Sequence, residues 1–422
     1  MKQNAEKIIG FIGIILILVL GKTLLASDML FFRLVVGAGL GYSLSRAYTG
    51  FAGSVNRAYK QGSTKLLRTL MFMFFITAVL VTAFLFNADV STYNLWINPI
   101  NLGLILGGLI FGFGMAFSSC CASGVLTDLV TGLPRALITL IFFAFGVFIG
   151  FPLQKTVSWV SDSWFSTATG TQFAGGVFLP DLFKWDGLNG YLGALVVTGI
   201  LCLIVIYFAY MYEKKRKNEG TYTGNMMEKI QDVPEEFDTK DYDGLSAKTY
   251  DRLFIKPWTL KQGAVALALL FALLIGVTKA GWGASRPYGI WFGKVLMLFG
   301  VSAESLAEFA KMSPEAFSTP FFQHQASVQN FGILLGTLVY LLTAGKFLTT
   351  FMSEIKITGK EALLYAVGGL TMGFGTRLAN GCNVGALYTP IASFSLSGWV
   401  FLVVMIIGGV LGNKFAKAYY KK

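Results

Sequence analysis

Apolar residues form runs of about 20 along the whole chain, and short polar segments separate them. Runs of that length can cross the hydrocarbon core of a bilayer as an α-helix. They do not alternate as the strands of a transmembrane barrel do. Backbone polar groups in lipid must be satisfied within the segment, so the pattern predicts an all-α polytopic membrane protein. The predicted spans cover residues 7–26, 69–87, 136–152, 190–212, 261–279, 326–345, 361–378 and 397–412.

Two stretches of the chain repeat in the same order. Residues 107–132 read GGLIFGFGMAFSSCCASGVLTDLVTG and residues 368–393 read GGLTMGFGTRLANGCNVGALYTPIAS, with 9 of 26 positions identical. A second motif, GYSLSRAYTGFAG at 41–53, agrees with GWGASRPYGIWFG at 281–293 in 5 of 13 positions. This order indicates an internal duplication. We divide the chain into a first membrane repeat, a cytoplasmic linker and a second membrane repeat, at residues 1–212, 213–258 and 259–422.

The distribution of charge predicts how the chain is oriented. Only 13% of the residues are charged, and the net charge of +12 comes from Lys and Arg in short loops and at the tail. The positive-inside rule places such segments in the cytoplasm, with both termini, so the charge does not indicate nucleic-acid binding. The apolar helix before residue 118 would then run inward and the one before residue 379 outward. The two halves would form an inverted repeat, as in many transporters.

Each copy of the longer motif interrupts an apolar helix with a small polar segment, SSCCASG at 118–124 and ANGCNVG at 379–385. Polar backbone at membrane depth is tolerated only where it is buried in protein or lines a cavity. Each segment would begin a short re-entrant half-helix, whose unpaired N–H groups favour an anion. Two inverted copies would direct two such ends at one point near the midplane.

Cys121 and Cys382 occupy equivalent positions in the two segments, so a pseudo-twofold axis would bring them together. A thiol is a weak donor and a polarisable group, which suits a sulfur-containing anion. The alternative is that each cysteine is a small buried hydrophobe beside glycines that allow close helix packing. Cys120 aligns with Gly381, so it could be redox-active, could assist the substrate or could simply pack.

Further candidates are polar residues inside the apolar segments. Arginines there are costly and functional by default, either attracting an anion at the mouth of a pathway or pairing with carbonyl groups. A single histidine excludes most His-based metal sites and His-dependent catalysis, and no nucleotide-binding P-loop is present. We therefore expect no metal, no cofactor and no enzymatic activity. The remaining candidate pathway residues are Arg46, Tyr48, Ser119, Ser123, Gly124, Arg286, Arg377, Asn380, Asn383 and Gly385.

At these motifs the sequence resembles the YeeE/YedE family of bacterial inner-membrane sulfur-compound transporters, which includes thiosulfate importers. The resemblance rests on GFGMAFSSCCASG and GFGTRLANGCNVGALYTPIASFSLSGW. It implies an hourglass of full spans and short inward-dipping helices, in which Cys121 and Cys382 form the constriction and pass the substrate along by S–H contacts. The family's thiosulfate importers also have a cysteine in the region that corresponds to the shorter motif, residues 41–53. This chain has none there, so Tyr48 or Thr49 would replace it, or Cys120 would.

We therefore expect an inner-membrane transporter that imports a small sulfur-containing anion such as thiosulfate. One alternative is a transporter of a selenium compound or another small anion. A second is a thiol-based membrane redox protein that uses Cys120 and Cys121. A third is a structural subunit that docks a cytoplasmic sulfur-carrier protein through residues 213–256. The expected partners are the anion, the lipid bilayer and such a carrier, without nucleic acid.

Overall fold

The computed structural model describes residues 2–118, 120–233 and 246–421, and these residues are predominantly helical. The described part of the chain contains no β-strand, although isolated bridges join Asn94 to Ala280 and Phe178 to Ser395. The all-helical prediction is confirmed. Ser119, a predicted pathway residue, and the middle of the predicted linker lie outside the described residues.

The helices of the first half and the linker follow the apolar pattern closely. They are α1 (Lys2–Leu24), α2 (Asp28–Ala47), α3 (Phe51–Gln61), α4 (Lys65–Leu85), α5 (Leu102–Ser118), α6 (Gly124–Thr131), α7 (Leu133–Thr156), α8 (Ser158–Ser161), α9 (Tyr191–Asn218), α10 (Met226–Gln231) and α11 (Ala247–Tyr250). The helices of the second half are α12 (Leu260–Thr278), α13 (Arg286–Leu298), α14 (Ala303–Ala310), α15 (Glu315–Ser318), α16 (Gln325–Thr343), α17 (Phe347–Ser353), α18 (Gly359–Leu378), α19 (Thr389–Ala392) and α20 (Ser397–Lys421). A π-helical turn, Asn383–Tyr388, runs into α19.

Seven helices in the described ranges are long and apolar enough to cross a membrane, namely α1, α4, α7, α9, α12, α16 and α20. Each coincides with a predicted span, and the protein is therefore a multi-pass membrane protein. The eighth predicted span forms as α18 but is not among the seven. It carries Lys360, Glu361 and Arg377 and several glycines. Helix α18 packs against α5 and α7, so fewer of its side chains face lipid.

Helices of the two halves pack against each other reciprocally. In chain order, α2, α4, α5 and α7 correspond to α12, α16, α18 and α20. The contact of α18 with α7 is therefore equivalent to the contact of α5 with α20. In the same way, the contact of α16 with α2 is equivalent to the contact of α4 with α12. All four contacts are present. The duplication read from the sequence thus has a counterpart in the packing, while the inversion of the halves relative to the membrane stays a prediction.

Glycines of the repeated motifs lie where helices approach most closely. A Cβ atom added to Gly112 would lie 2.2 Å from the Met405 carbonyl oxygen, and one added to the equivalent Gly373 would lie 2.1 Å from that of Phe143. At Gly41 the distance to the Ile333 carbonyl oxygen would be 1.9 Å. Small residues allow such approaches between membrane helices. These glycines therefore allow the close helix–helix contacts that the two halves share.

The segment between α4 and α5 is mostly irregular, and its end is buried. Residues 88–99 contain no Lys or Arg, and Leu95 and Ile97 are 2% and 0% exposed. The Asn98 side-chain amide donates to the Gly385 carbonyl oxygen at 3.3 Å. The end of this segment therefore packs into the core beside the second polar segment, because the second half supplies partners that the local sequence does not reveal.

The part of the linker that the structure describes contacts the first half. Glu228 in α10 pairs with Arg57 of α3 at 3.0 Å and accepts a hydrogen bond from the Ser63 hydroxyl at 2.5 Å. The Gln231 amide donates to the carbonyl oxygens of Ala47 and Trp258, both at 2.7 Å. These contacts attach α10 to the ends of α2 and α3.

Replacing Gly41 by alanine should destabilise the protein by about 1–3 kcal/mol, because the new methyl group meets a backbone carbonyl that cannot move aside. Gly13 of α1 is a matched control, since a Cβ atom there has no neighbour within 4 Å. Thermal unfolding in detergent should show a lower midpoint for Gly41→Ala and an unchanged or higher one for Gly13→Ala. Equal shifts for the two variants would contradict the close packing of α2 on α16.

Candidate functional site

Two cavities lie at opposite ends of the same helices. The larger, about 910 Å³, is bordered by Lys155 at the end of α7 and His324 before α16. The smaller, about 320 Å³, is bordered by Arg135 at the start of α7 and Tyr340 near the end of α16. The twenty residues between Arg135 and Lys155 rise roughly 30 Å along a helix. We name the larger cavity the outer vestibule and the smaller the inner vestibule, after the predicted orientation.

The outer vestibule is positively charged. Arg33, Lys155, Arg286 and Arg377 border it, and none of its lining residues is Asp or Glu. Within the described ranges, none of these four cations forms an ion pair. A cleft lined by charge of one sign concentrates ions of the opposite sign. This surface therefore attracts anions.

Arg377 is the most deeply placed of these cations, at 3% exposure. Its guanidinium donates to the Ser285 hydroxyl at 2.9 Å and to the Gln154 side-chain oxygen at 3.3 Å. Arg377 and Arg286 are close enough to repel each other. An anion between the two side chains would offset that repulsion and gain charge-assisted hydrogen bonds.

The two predicted cysteines are buried between the vestibules, with Cys121 1% and Cys382 0% exposed. Cys121 borders the inner vestibule. Cys382 follows Gly381, which borders the outer vestibule, and its thiol lies near the Ser285 side chain. The two thiols are close enough for a charge on one to influence the other. The structure thus brings together the two cysteines that the repeat aligned.

Both cysteines begin a turn of helix in the same way. The Cys121 carbonyl accepts the Val125 N–H at 2.8 Å, and the Cys382 carbonyl accepts the Ala386 N–H at 2.6 Å. The turn that starts at each cysteine therefore fixes where its thiol lies.

A tyrosine from the second half contacts the first polar segment. The Tyr288 hydroxyl donates to the Ala122 carbonyl oxygen, and its side chain is fully buried near both cysteines. The equivalent Tyr48 has a left-handed backbone, φ 53°, and borders the inner vestibule. Sequence reasoning assigned a role to Tyr48 alone, although the aligned motifs contain both tyrosines.

The other predicted residues of the first segment lie beside the cysteines. The Ser123 hydroxyl is 3.4 Å from the Cys121 sulfur. Ser123, Gly124 and Cys120 all border the inner vestibule. A Cβ atom added to Gly124 would lie 3.4 Å from the Cys120 Cβ atom, so this glycine leaves room beside the thiols.

The predicted residues of the second segment have more varied surroundings. Asn380 borders the outer vestibule and accepts a hydrogen bond from the Gln154 amide at 2.5 Å. The Asn383 amide donates to the Met115 sulfur at 3.2 Å, and its buried oxygen has no partner among the described residues. Gly385 lies against the Trp96 ring, which a Cβ atom would approach to 2.6 Å.

Arg46 borders neither vestibule. Its guanidinium donates to the carbonyl oxygens of Arg252 at 2.9 Å, Lys256 at 3.1 Å and Leu253, and it lies 4.8 Å from the centre of the Trp258 ring. The sequence left two roles open for Arg46, which were attracting an anion and pairing with carbonyl groups. These contacts correspond to the second role. Arg286, its equivalent in the second half, borders the outer vestibule instead.

The inner vestibule also contains arginines, but both have carboxylate partners. Arg57 pairs with Glu228 at 3.0 Å. Arg135 pairs with Asp128 at 3.1 Å and with Glu354 at 3.3 Å. An anion in the inner vestibule must therefore compete with carboxylates of the protein, whereas an anion in the outer vestibule does not.

Among the outer-vestibule residues that the sequence reasoning did not select are Arg33, Gln154, Lys155 and Ser285. Two of these four residues could have been found from the sequence. Arg33 is an arginine within an apolar helix, and Ser285 is identical to Ser45 in the aligned motifs. Gln154 and Lys155 end a predicted span as many polar residues do, so only the packing of α7 beside α13 and α18 shows their place.

A family model described as "Sulphur transport" matches residues 46–411, which include both repeated motifs except the first five residues of the shorter one. The chain belongs to this sulphur transport family. The proteins named "Thiosulfate transporter TsuA" from Spirochaeta thermophila and Escherichia coli K12 are each 25% identical to it over 386 residues. These matches cover 90% of this chain and 97% and 93% of the relatives.

Another member of this group, the Escherichia coli K12 protein named "Probable transporter YedE", is 31% identical over 161 residues. That match spans 38% of this chain and 38% of the relative, so the chain matches well under half of that protein's length. The sulphur transport family resemblance seen in the motifs is thus confirmed, and the chain is a multi-pass protein of a transport family.

The pH dependence of stability should reflect His324. Its ring nitrogen Nδ1 accepts the Ser327 N–H at 3.2 Å and so caps α16. Burial, with Arg286, Lys294 and Arg33 nearby, lowers the pKa of His324 below its usual value. The unfolded chain binds the proton more readily, so the stability that the neutral His324 contributes is complete at neutral pH. This stability is lost as the pH falls from the unfolded pKa through the lower folded pKa.

His324→Asn keeps a capping acceptor that does not titrate. Between pH 7.5 and pH 5 the wild type should therefore lose about 1 kcal/mol more stability than this variant does. Thermal unfolding of both proteins at the two pH values measures the difference. The same pH dependence in both would show that His324 is not the group that titrates.

Proposed function

We propose that this chain is an inner-membrane transporter that imports a small sulfur-containing anion such as thiosulfate. The observation that carries the proposal is the pair of buried thiols, Cys121 and Cys382, between an outer vestibule with unpaired cations and an inner vestibule with paired ones. The printed names of the two thiosulfate transporters that align along most of the chain support this substrate class.

The outer vestibule collects the anion. Its positive field raises the local anion concentration, and Arg33, Lys155 and Arg286 contribute to that charge. The buried Arg377 and the Ser285 hydroxyl provide donors at the bottom of the cavity. Charge-assisted hydrogen bonds from these groups hold the anion beside Cys382.

The thiols then carry the anion across the narrowest part. A thiol donates weakly and has a polarisable sulfur, so it contacts the sulfur of thiosulfate without the strong attraction of a full charge. Conduction requires that each site bind the substrate weakly enough to release it. The order of contacts is Cys382 first and Cys121 second, following the vestibules that each cysteine adjoins.

Release is favoured on the inner side. There, Asp128, Glu228 and Glu354 already neutralise the arginines and compete with the substrate for them. The shorter motif, residues 41–53, has no cysteine. Cys120 and Tyr48 border the inner vestibule and are available for the last contact with the anion. The difference in charge pairing makes the outer vestibule the side that captures the anion and the inner vestibule the side that releases it.

Uptake of radiolabelled thiosulfate by cells that lack other sulfur importers tests the role of the thiols. Cys121→Ser and Cys382→Ser should each lower uptake about tenfold or more, a loss of roughly 1.4 kcal/mol in the transition state. Cys202→Ser is the matched control, because Cys202 is a buried thiol in α9 that donates to the Met71 carbonyl away from both vestibules. It should leave uptake unchanged.

The other outcomes of this experiment are equally informative. Normal uptake by both variants, at normal protein levels in the membrane, would reduce the cysteines to packing residues. Wild-type uptake no greater than that of empty vector would reject thiosulfate, and the same assay would then be repeated with selenium compounds and other small anions. Thiol-dependent turnover without any transport would instead support a redox protein.

The dependence of uptake on the concentration of the anion tests the role of the outer vestibule. Arg286→Gln should raise KM several-fold and reduce its dependence on ionic strength, since it removes one of the unpaired charges that attract the anion. Lys311→Gln removes an exposed charge between two lining residues, Ala310 and Met312, without itself bordering the cavity. If both variants raise KM equally, the vestibule has no specific role for Arg286.

A further inference from the structure

A third cavity of about 560 Å³ lies apart from both vestibules, between the C-terminal ends of α3, α9 and α20. Lys60, Lys417 and Arg216 border it, together with the rings of Tyr59 and Tyr420. None of these residues belongs to the proposed anion pathway, so the cavity needs a separate explanation.

The charges of this cavity are incompletely satisfied. Arg216 donates to the Thr221 hydroxyl at 2.6 Å and to the Tyr59 carbonyl at 2.9 Å, so its guanidinium joins α9 to α3. Lys60 and Lys417, by contrast, have neither an ion-pair nor a hydrogen-bond partner within the described ranges. The one carboxylate at the cavity, Glu219, pairs with Lys215 outside it at 3.8 Å. Two ammonium groups therefore remain for an external anion.

The position of the cavity indicates where that anion comes from. Helices α9 and α20 are both candidate membrane spans and end beside it. Their outer faces are apolar, with Phe208 66% and Phe415 51% exposed, and Tyr420 is 58% exposed. Tyrosines are enriched at membrane–water interfaces. The cavity thus opens at the level of the lipid headgroups, with apolar helix surface available for acyl chains.

We propose that this cavity binds the phosphate-bearing headgroup of an anionic phospholipid, with Lys60 and Lys417 contacting the phosphate oxygens. Ammonium groups form charge-assisted hydrogen bonds with phosphate, and basic residues near an anionic leaflet are attracted to it. Inorganic phosphate shares this chemistry but lacks acyl chains for the exposed faces of α9 and α20. A bound headgroup also tethers α3 to α20 one helical turn after Arg57, which borders the inner vestibule.

The test uses the purified full chain in nanodiscs of phosphatidylcholine with or without phosphatidylglycerol. Native mass spectrometry should show retained phosphatidylglycerol on the wild type, and its thermal midpoint should rise with that lipid. In the double variant Lys60→Gln, Lys417→Gln, the retained lipid should fall about tenfold and the thermal shift should vanish. Lys60→Arg, Lys417→Arg keeps both charges and should behave like the wild type, which separates lipid binding from misfolding.

Lys414→Gln is the matched control, since Lys414 is exposed on the same helix and does not border the cavity. It should retain the lipid. Loss of lipid in this control equal to that in the double variant would show a nonspecific surface attraction and overturn the proposal. A thermal shift of the same size with millimolar inorganic phosphate in phosphatidylcholine alone would assign the cavity to free phosphate. Equal stability with and without phosphatidylglycerol would also reject the lipid.

Discussion

Polar groups placed inside an apolar helical core must find their partners within the protein, and the arrangement of both halves follows from this requirement. The chain is broken at two equivalent points, and each break starts a new turn with the carbonyl of a cysteine. Partners come from the opposite half, such as Tyr288 for Ala122 and Asn98 for Gly385. The two halves therefore satisfy each other's interrupted backbone.

Close packing of glycines makes these exchanges possible. Gly112 and Gly373 let α5 and α18 approach carbonyl groups of α20 and α7, and both helices end at the polar segments. With the helices this close, little space remains around the two polar segments. The same glycines that hold these helices together therefore limit the room beside the buried cysteines.

The pairing of charges distinguishes the two ends of a pseudo-symmetric core. Equivalent arginines have different environments, since Arg46 is bound by carbonyl groups of the linker while Arg286 faces the outer vestibule. The linker and α17 supply Glu228 and Glu354 at the inner end, and no acidic residue borders the outer vestibule. Elements outside the duplicated motifs therefore make the two ends of the core different in charge.

The sequence by itself determined the helical class, the spans, the repeated motifs and the alignment of Cys121 with Cys382, because hydrophobic period and repeat alignment can be read directly from the chain. Tertiary structure decided which charges have partners. Arg33 and Lys155 join Arg377 only through the packing of distant helices, and Leu95 and Ile97 before α5 are buried by residues far along the chain. A side chain's partner depends on long-range contacts, and residue type and spacing do not encode these directly.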